Sequence, residues 1–360
     1  MRPRLLVLEL HHLGDAVLAI PFLRTAMIHA DMAVFCTPSV SELLRTLVPD
    51  LKTLPARPSW PGRILQMISL RRTFRPTVAV SAWADVRASV LGWVSGAQRR
   101  IGLPMRSGNY YAAEVPWRQR RLRAGRGIDF VFRMFGISLL TDSVNRPDNR
   151  CSHLAVWGLL ASKLGWTAEL RTPWFEPPRE FLGAELESFL AEHRRAGRKI
   201  CVLHAGGRLP TKRWPVAAYQ KVLETFFVEN GIAVVIVKHP GEDAPTPVGS
   251  LQCHWDCFSH AALATCLASA DVVLCNDSYP AHLASGLGKT VVTIFGSGEP
   301  AWFAPYGNES HVVRSTACPF HPCIDRCRMP SVVCLDSVQT AQVIERLRPL
   351  FVSERNPSGK

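Results

Sequence analysis

Residues 270–296, ADVVLCNDSYPAHLASGLGKTVVTIFG, constrain the fold more than any other stretch of the chain. Residues 272–275 form a short apolar run that is typical of a buried strand. Residues 290–295 form a second run, rich in β-branched side chains. Between the two runs, residues 281–287 have helical character and stop at Gly288. The stretch therefore predicts a strand–helix–strand unit of a parallel α/β sheet.

The loop of this unit is polar and follows the carboxyl end of a strand. Asn276, Asp277 and Ser278 are helix N-cap residues, and Pro280 suits a first helical turn. Open α/β sheets bind ligands at this edge, and a helix N-terminus favours an anion such as a diphosphate. A capped crossover helix without any ligand would show the same local pattern.

The remaining sequence repeats this alternation in two series, which predicts two α/β domains. In the first series the predicted strands are 4–10, 32–36, 77–81 and 99–103, and the predicted helices are 16–30, 41–47, 63–74, 85–93, 128–135 and 154–164. In the second series the predicted strands are 199–204, 233–238, 272–275 and 290–295, and the predicted helices are 181–196, 216–230, 261–269, 281–287 and 339–350. Pro21 is expected to end or kink the first helix.

The chain length also favours two domains, because 360 residues exceed one typical core. Residues 166–182 are rich in Pro and aromatic side chains and predict the lead-in to a linker. We therefore expect a first domain over 1–180 and a second over 181–338, followed by a helix and tail over 339–360. A cleft is expected between the two domains, where strand ends face each other.

The composition indicates a soluble globular protein, since 47% of the residues are hydrophobic. No apolar run reaches the ~20 residues of a membrane span. The N-terminus lacks the apolar core and cleavage site of a signal peptide. The eleven cysteines are scattered and odd in number, which suits a reducing compartment. A cytoplasmic protein is expected.

Positive charge is concentrated in the first half of the chain. Residues 1–185 hold 25 Lys and Arg against 14 Asp and Glu, a net charge of +11, whereas residues 186–360 have a net charge of +2. Residues 99–126 contain eight arginines and a single acid, Glu114. This pattern predicts an anionic partner: a phosphorylated substrate, a membrane surface or nucleic acid. Nucleic acid is the least favoured, because no binding motif is present. A basic surface that merely aids solubility would look the same.

Four stretches, in this order, resemble glycosyltransferase family nine, the ADP-heptose:lipopolysaccharide heptosyltransferases. They are HHLGDAVLAIP (11–21), LHAGGRLPTKRWP (203–215), VIVKHPGED (235–243) and NDSYPAHLASGLGKTVVTIFGSGEPAWFAPYG (276–307). The last stretch is the most specific, and the likeness is weak over 38–196.

The resemblance implies a GT-B fold, with two Rossmann-like domains and a cleft between them. The first domain would bind the acceptor and the second the nucleotide-sugar, and the final helix would return to the first domain. The implied reaction moves a heptose from ADP-heptose to the lipopolysaccharide inner core, with inversion and without a metal or cofactor. The acceptor would be an anionic glycolipid at the cytoplasmic face of the inner membrane, which the enzyme would touch peripherally.

Three other interpretations stay open. The same fold could act on another acceptor, such as a protein hydroxyl or another surface glycan. It could use another nucleotide-sugar. The chain could also be a nucleotide-sugar binding module without catalytic activity.

The resemblance assigns the general base to Asp15, which matches the Asp of the family's Gly-Asp motif. A helix cap is the commoner use of an Asp at such a place. Gly14 would let the backbone approach the acceptor, and His11 and His12 are further candidate bases or acceptor contacts. Within the basic stretch, the candidate acceptor-binding residues are Arg106 and Arg120.

The resemblance places the donor's diphosphate at Lys212, within the Lys-Arg-Trp-Pro motif, and Thr211 could add a hydroxyl. Gly206 and Gly207 would leave room for phosphate beside their N–H groups. Glu242 is loosely matched to the family acid near the nucleotide ribose. For Lys212, a solvated loop charge is the alternative.

Asp277, Ser278 and His282 match the family pattern Asp-Thr/Ser-Gly-x-x-His, which grips the sugar diphosphate. Tyr279 departs from it, because Gly is usual there. A side chain at this position could crowd the phosphates or alter the sugar preference. His282 could instead be a satisfied core histidine.

Four cysteines near the C-terminus, Cys318, Cys323, Cys327 and Cys334, could form a structural metal site, which His321 could join. The paired Cys-x-x-Cys spacing of zinc sites is absent. Reduced thiols that pin a loop are the favoured interpretation.

Overall fold

The computed structural model describes residues 2–9, 12–104, 139–148, 150–323 and 327–351. The chain divides into two compact units, Met1–Arg171 and Thr172–Lys360. The predicted helix 128–135 lies outside the described residues, as do His11, Arg106 and Arg120. None of the helices in the described ranges combines the length and apolar character that crossing a bilayer would require.

The first unit is built on a six-stranded parallel sheet. Its strands are β1 (Arg4–Glu9), β2 (Asp31–Cys36), β3 (Thr53–Pro55), β4 (Val78–Ser81), β5 (Arg99–Gly102) and β6 (Asp142–Ser143). Its described helices are α1 (Leu13–His29), α2 (Pro38–Leu47), α3 (Trp60–Thr73), α4 (Val86–Val94) and α5 (His153–Lys163). The strand order is β3-β2-β1-β4-β5-β6, which is the doubly wound order of Rossmann-like folds.

The second unit repeats this topology. Its strands are β7 (Ile200–His204), β8 (Ala233–Lys238), β9 (Gln252–Asp256), β10 (Val272–Asn276), β11 (Thr290–Phe295) and β12 (Val312–Arg314). Its described helices are α6 (Ala184–Arg195), α7 (Val216–Val222), α8 (His260–Ala268), α9 (Tyr279–Gly286), α10 (Pro300–Phe303), α11 (Val333–Asp336) and α12 (Thr340–Phe351). The parallel strands run in the order β12-β11-β10-β7-β8-β9. Two Rossmann-like sheets are therefore present, as predicted.

Helix α1 differs from its prediction because it continues through Pro21 without ending. Proline removes one backbone donor from the helix ladder. Here the surrounding helix is buried over most of its length, and Phe22, the next residue, packs on Trp157 of α5 with ring centroids 5.0 Å apart. Tertiary packing therefore outweighs the local cost of the proline.

The boundary between the units lies at residue 171 rather than at 180. Trp174 explains the difference, because its backbone N–H donates to the carbonyl of Gly286 at the end of α9 (2.7 Å). The ring of Trp174 also lies 5.6 Å from that of Tyr306. The predicted linker residues after 171 thus belong to the second unit.

The packing of the final helix also differs from its prediction. Val343 and Leu347 of α12 are fully buried in the core of the second unit, beside Trp214, Tyr219 and Phe226. The sequence shows an amphipathic helix but does not show which sheet receives its apolar face. That face packs in the core of the second unit. The resemblance had implied that the helix returns to the first domain.

Candidate functional site

One buried amide organises the carboxyl edge of the second sheet. Asn276, the last residue of β10, is completely buried. Its Nδ2 donates to the carbonyls of Ala205 (2.7 Å) and Gly206 (3.0 Å). Its Oδ1 accepts from the backbone N–H of Trp214 (3.0 Å) and from the Tyr219 hydroxyl (2.9 Å). All the hydrogen-bonding capacity of the side chain is used, so it fixes the loop after β7 at both of its ends.

Sequence reasoning gave Asn276 only a capping role and so missed this clamp. The available signal was an amide at the end of an otherwise apolar strand, a place where a buried polar side chain needs several partners.

A partly buried ion pair lies beside the clamp. Lys212 ends a short 3₁₀ turn, and its Nζ lies 2.8 Å from Oδ2 of Asp277. The Asp277 side chain is 3% exposed, whereas that of Lys212 is 23% exposed. The same Nζ lies 5.9 Å from the centroid of the Phe303 ring. Asp277 therefore fixes a partly open ammonium group in place.

The loop after β11 is packed tightly against this pair. A Cβ at Gly298 would collide with the Asp277 carboxylate, and one at Gly296 with the Thr211 carbonyl. Between these glycines, Ser297 donates from its N–H to the Thr211 carbonyl (3.2 Å) and from its hydroxyl to Thr211 Oγ1 (3.2 Å). The loops that follow β7, β10 and β11 thus meet at one place.

Glu242 is held by the two glycines after β7. Its Oε1 accepts the Gly207 N–H (3.2 Å), and a Cβ at Gly206 would collide with its carboxylate. Gly206 thus leaves room for a carboxylate and Gly207 donates a hydrogen bond to it, where the sequence predicted room for phosphate. Burial raises the pKa of Glu242, but the hydrogen bond and charge of His204 and the charge of His239 outweigh it and bring the pKa to about 2. The group is an anion at neutral pH.

Two histidines complete this corner. Nε2 of His204 lies 3.3 Å from Oε2 of Glu242, and Nδ1 of His239 lies 3.0 Å from the Cys257 carbonyl. One ligand atom from each of His204, His239 and Glu242 lies within 4.8 Å of the other two. Among the described residues, this trio is the group that could hold a metal ion.

The four candidate cysteines do not converge in that way within the described part of the chain. All eleven cysteines of the chain are free thiols. Burial raises the pKa of Cys323 to about 11, and the thiols of Cys334, Cys327 and Cys318 add to the effect. Burial also raises the pKa of Cys334, which lies in α11. Protonated thiols are thus expected for these two residues at neutral pH.

The first turn of α9 presents the remaining motif residues. His282 is 5% exposed. Burial lowers its pKa to about 4, the charge of Asp277 opposes the shift, and that of Lys212 adds to it. The hydroxyl of Ser278 donates to the Asn276 carbonyl (3.1 Å) and does not cap the helix. His282 is therefore neutral at pH 7, next to an ion pair.

Tyr279, the departure from the family pattern, has its hydroxyl 3.4 Å from Nδ1 of His260 at the start of α8. The two rings meet edge to face, with centroids 5.5 Å apart. The side chain that replaces glycine thus extends to the neighbouring helix.

In the first unit, Asp15 lies in the first turn of α1, just beyond the carboxyl end of β1. Its Oδ2 accepts the His12 N–H (3.3 Å), and the residue is 8% exposed. Gly14 lies in the same turn. The helix-capping use of Asp15 is therefore present in the structure.

The sequence matches the family model of glycosyltransferase family 9 (heptosyltransferase) over residues 136–332, more than half of the chain. The chain belongs to glycosyltransferase family 9. This confirms the family and the enzyme class that the motifs predicted. No curated protein matches the sequence of this family 9 glycosyltransferase.

Solved structures show the same fold along nearly the whole chain. A family 9 glycosyl transferase from Veillonella parvula has a TM-score of 0.69 and 18% identity, with 97% of each chain covered. E. coli ADP-heptose lps heptosyltransferase II has a TM-score of 0.61 and 17% identity, with 99% of this chain and 100% of the other covered. E. coli heptosyltransferase WaaC with ADP has a TM-score of 0.60 and 14% identity, with coverages of 96% and 99%. The GT-B fold is thereby confirmed.

The low pKa of His282 predicts an acid-labile fold for this glycosyltransferase. Between its ordinary pKa of 6.5 and its folded value of about 4, the unfolded chain binds one more proton at this site, so stability falls as the pH falls. From about pH 7.5 to about pH 5, His282 should cost the fold about 2 kcal/mol. Urea unfolding of the wild type and of His282→Gln should show this loss in the wild type alone. His29→Gln, at an exposed site, should lose the same stability as the wild type. If the free energy of unfolding changed equally with pH in all three proteins, the lowered pKa of His282 would be contradicted.

Proposed function

We propose that this glycosyltransferase moves a heptose from ADP-heptose to an anionic glycolipid of the lipopolysaccharide inner core. The observation that carries the proposal is the Lys212–Asp277 pair at the carboxyl edge of the second sheet. Two of the similar structures, the E. coli heptosyltransferases, are named for ADP-heptose or contain ADP. The transfer would invert the anomeric centre and need no metal in the chemical step.

Lys212 would stabilise the leaving diphosphate. Its ammonium group is positioned by Asp277 before any ligand arrives, so little reorganisation is needed when negative charge develops. Asp277 would act through this lysine, because a carboxylate repels phosphate. The neutral ring of His282 and the Ser278 hydroxyl, at the N-terminus of α9, would add hydrogen bonds without further charge. Thr211, whose hydroxyl accepts a hydrogen bond from Ser297, would line the side of the phosphate site opposite the N-terminus of α9.

Glu242 would bind the ribose of the nucleotide. An ionised carboxylate is a pure acceptor, and each of its oxygens has two lone pairs. The Gly207 N–H uses one lone pair of Oε1, and Nε2 of His204 lies 3.3 Å from the buried Oε2. The remaining lone pair of Oε1 suits a hydroxyl of the ribose.

Asp15 would be the general base. It would take the proton of the acceptor hydroxyl while that oxygen bonds to the anomeric carbon. The bond from the anomeric carbon to the diphosphate oxygen breaks on the opposite face, which inverts the centre. Gly14, His11, Arg106 and Arg120 are proposed acceptor contacts, since a basic surface suits carboxylates and phosphates.

The enzyme would work at the cytoplasmic face of the inner membrane, as its proposed acceptor requires. A different acceptor or nucleotide-sugar is the closest alternative, and Tyr279 is the residue most able to change the donor preference.

Asp15→Asn tests the base. The amide keeps an acceptor for the His12 N–H, so α1 should stay capped. Turnover with ADP-heptose should fall at least ~100-fold, as expected when a general base is lost. The affinity for ADP, measured by calorimetry, should be unchanged. Asp31→Asn, at the exposed start of β2, is the matched control. Full turnover in Asp15→Asn would exclude the residue as the base.

Lys212→Ala tests the phosphate contact. ADP should bind at least ~10-fold more weakly, equivalent to about 1.4 kcal/mol, whereas Lys221→Ala on α7 should bind it normally. Because the single change leaves Asp277 without its lysine, a Lys212→Ala/Asp277→Ala double variant is needed. Weak binding in both variants supports a direct lysine contact. Normal binding in either variant would refute it.

A further inference from the structure

Helix α3 has two apolar faces, and in the described part of the first unit one of them is buried and the other is exposed. Met67 belongs to the core of the first unit, and Ile64 and Leu70 pack against it. On the solvent side, Leu65 is 59% exposed and Ile68 is 38% exposed. A surface helix normally carries polar residues on its outer face.

The exposed apolar side chains form a continuous stripe. Pro61, Leu65 and Ile68 are spaced three and four residues apart, so they lie on one side of the helix, and Arg72 continues the same line. Trp60, at the first position of α3, is 38% exposed. We call Trp60, Pro61, Leu65, Ile68 and Arg72 the α3 stripe.

The segment that contains the α3 stripe is strongly basic. Residues 51–84 contain no Asp or Glu, and their basic residues are Lys52, Arg57, Arg63, Arg71, Arg72 and Arg75. Arg57, Arg71 and Arg75 are exposed. The Arg71 side chain extends along Gly96, just after α4, and the nearby Trp93 of α4 is 56% exposed. Exposed aromatic and aliphatic side chains thus lie in a segment whose charged residues are all basic.

Exposed apolar side chains in a basic segment favour a membrane surface as the partner. A helix that exposes Leu and Ile in one line and Trp at its start, within a basic segment, suits the boundary between lipid headgroups and acyl chains. Anionic headgroups would neutralise the arginines. A second copy of this chain would instead bring two sets of arginines together without acids from this segment. We propose that the α3 stripe docks the protein on an anionic phospholipid bilayer.

The inference deepens the proposed function, because a membrane surface is where a lipid-linked acceptor would be found. Vesicle binding needs no donor, acceptor or turnover. A failure of docking would therefore appear in vesicle binding, whereas a failure of the transferase proposal would appear in turnover and ADP affinity.

Co-sedimentation of the full chain with vesicles tests the docking. Vesicles of phosphatidylcholine with phosphatidylglycerol should bind the wild type, and vesicles of phosphatidylcholine alone should bind it at least ~10-fold more weakly. Leu65→Ser/Ile68→Ser and Arg71→Glu/Arg72→Glu should each weaken binding to the anionic vesicles by at least ~10-fold. Ile28→Ser, which removes an equally exposed apolar side chain from α1, is the control and should bind like the wild type.

Two further measurements keep the test decisive. Far-UV circular dichroism and the urea-unfolding midpoint should match the wild type in all these variants, which shows that the first unit, where the substitutions lie, is folded. Light scattering should give the same mass for the wild type and for Leu65→Ser/Ile68→Ser. Wild-type vesicle binding in both double variants would overturn the proposal, and so would a dimer that only the Leu65/Ile68 variant loses.

Discussion

The Asn276 side chain is the interaction on which the rest of the site depends. It ends the strand that carries Asp277, and it bonds both ends of the loop that carries Lys212. A buried amide that lost these partners would cost the desolvation of each unpaired group. The loop after β7 consequently has one arrangement, and the lysine reaches the aspartate from it. The geometry of the proposed phosphate contact is thus set by a residue that need not touch a ligand.

The charges at this edge are arranged in pairs whose members are unequally exposed. Lys212 remains partly open while Asp277 is buried, and Glu242 keeps acceptor capacity while His204 is buried behind it. Pairing makes such burial tolerable, because an unpaired charge would be far more costly. His282 avoids the cost by staying neutral. A diphosphate would therefore meet one positioned cation, and a ribose one positioned anion.

The central strands were predictable from the sequence, because β1, β2, β7, β8, β10 and β11 are apolar runs of buried type. The edge strands β3, β6, β9 and β12 were not, since they are short or carry polar residues and are defined by their neighbours. The helix predicted over 216–230 is α7 followed by a π-helical turn, Leu223–Phe227. The motifs placed Lys212 and Asp277 in one site. The clamp by Asn276 and the use of Gly206 to admit Glu242 depend on contacts between distant segments, which a single sequence does not show.

The most direct test of a preformed diphosphate site is the affinity of the unmodified protein for ADP compared with AMP. The two nucleotides share the base and ribose and differ by one phosphate. If the Lys212–Asp277 pair forms the phosphate site, calorimetry at fixed ionic strength should show that ADP binds at least ~10-fold more tightly than AMP. Equal affinities would contradict a diphosphate site at the carboxyl edge of the second sheet.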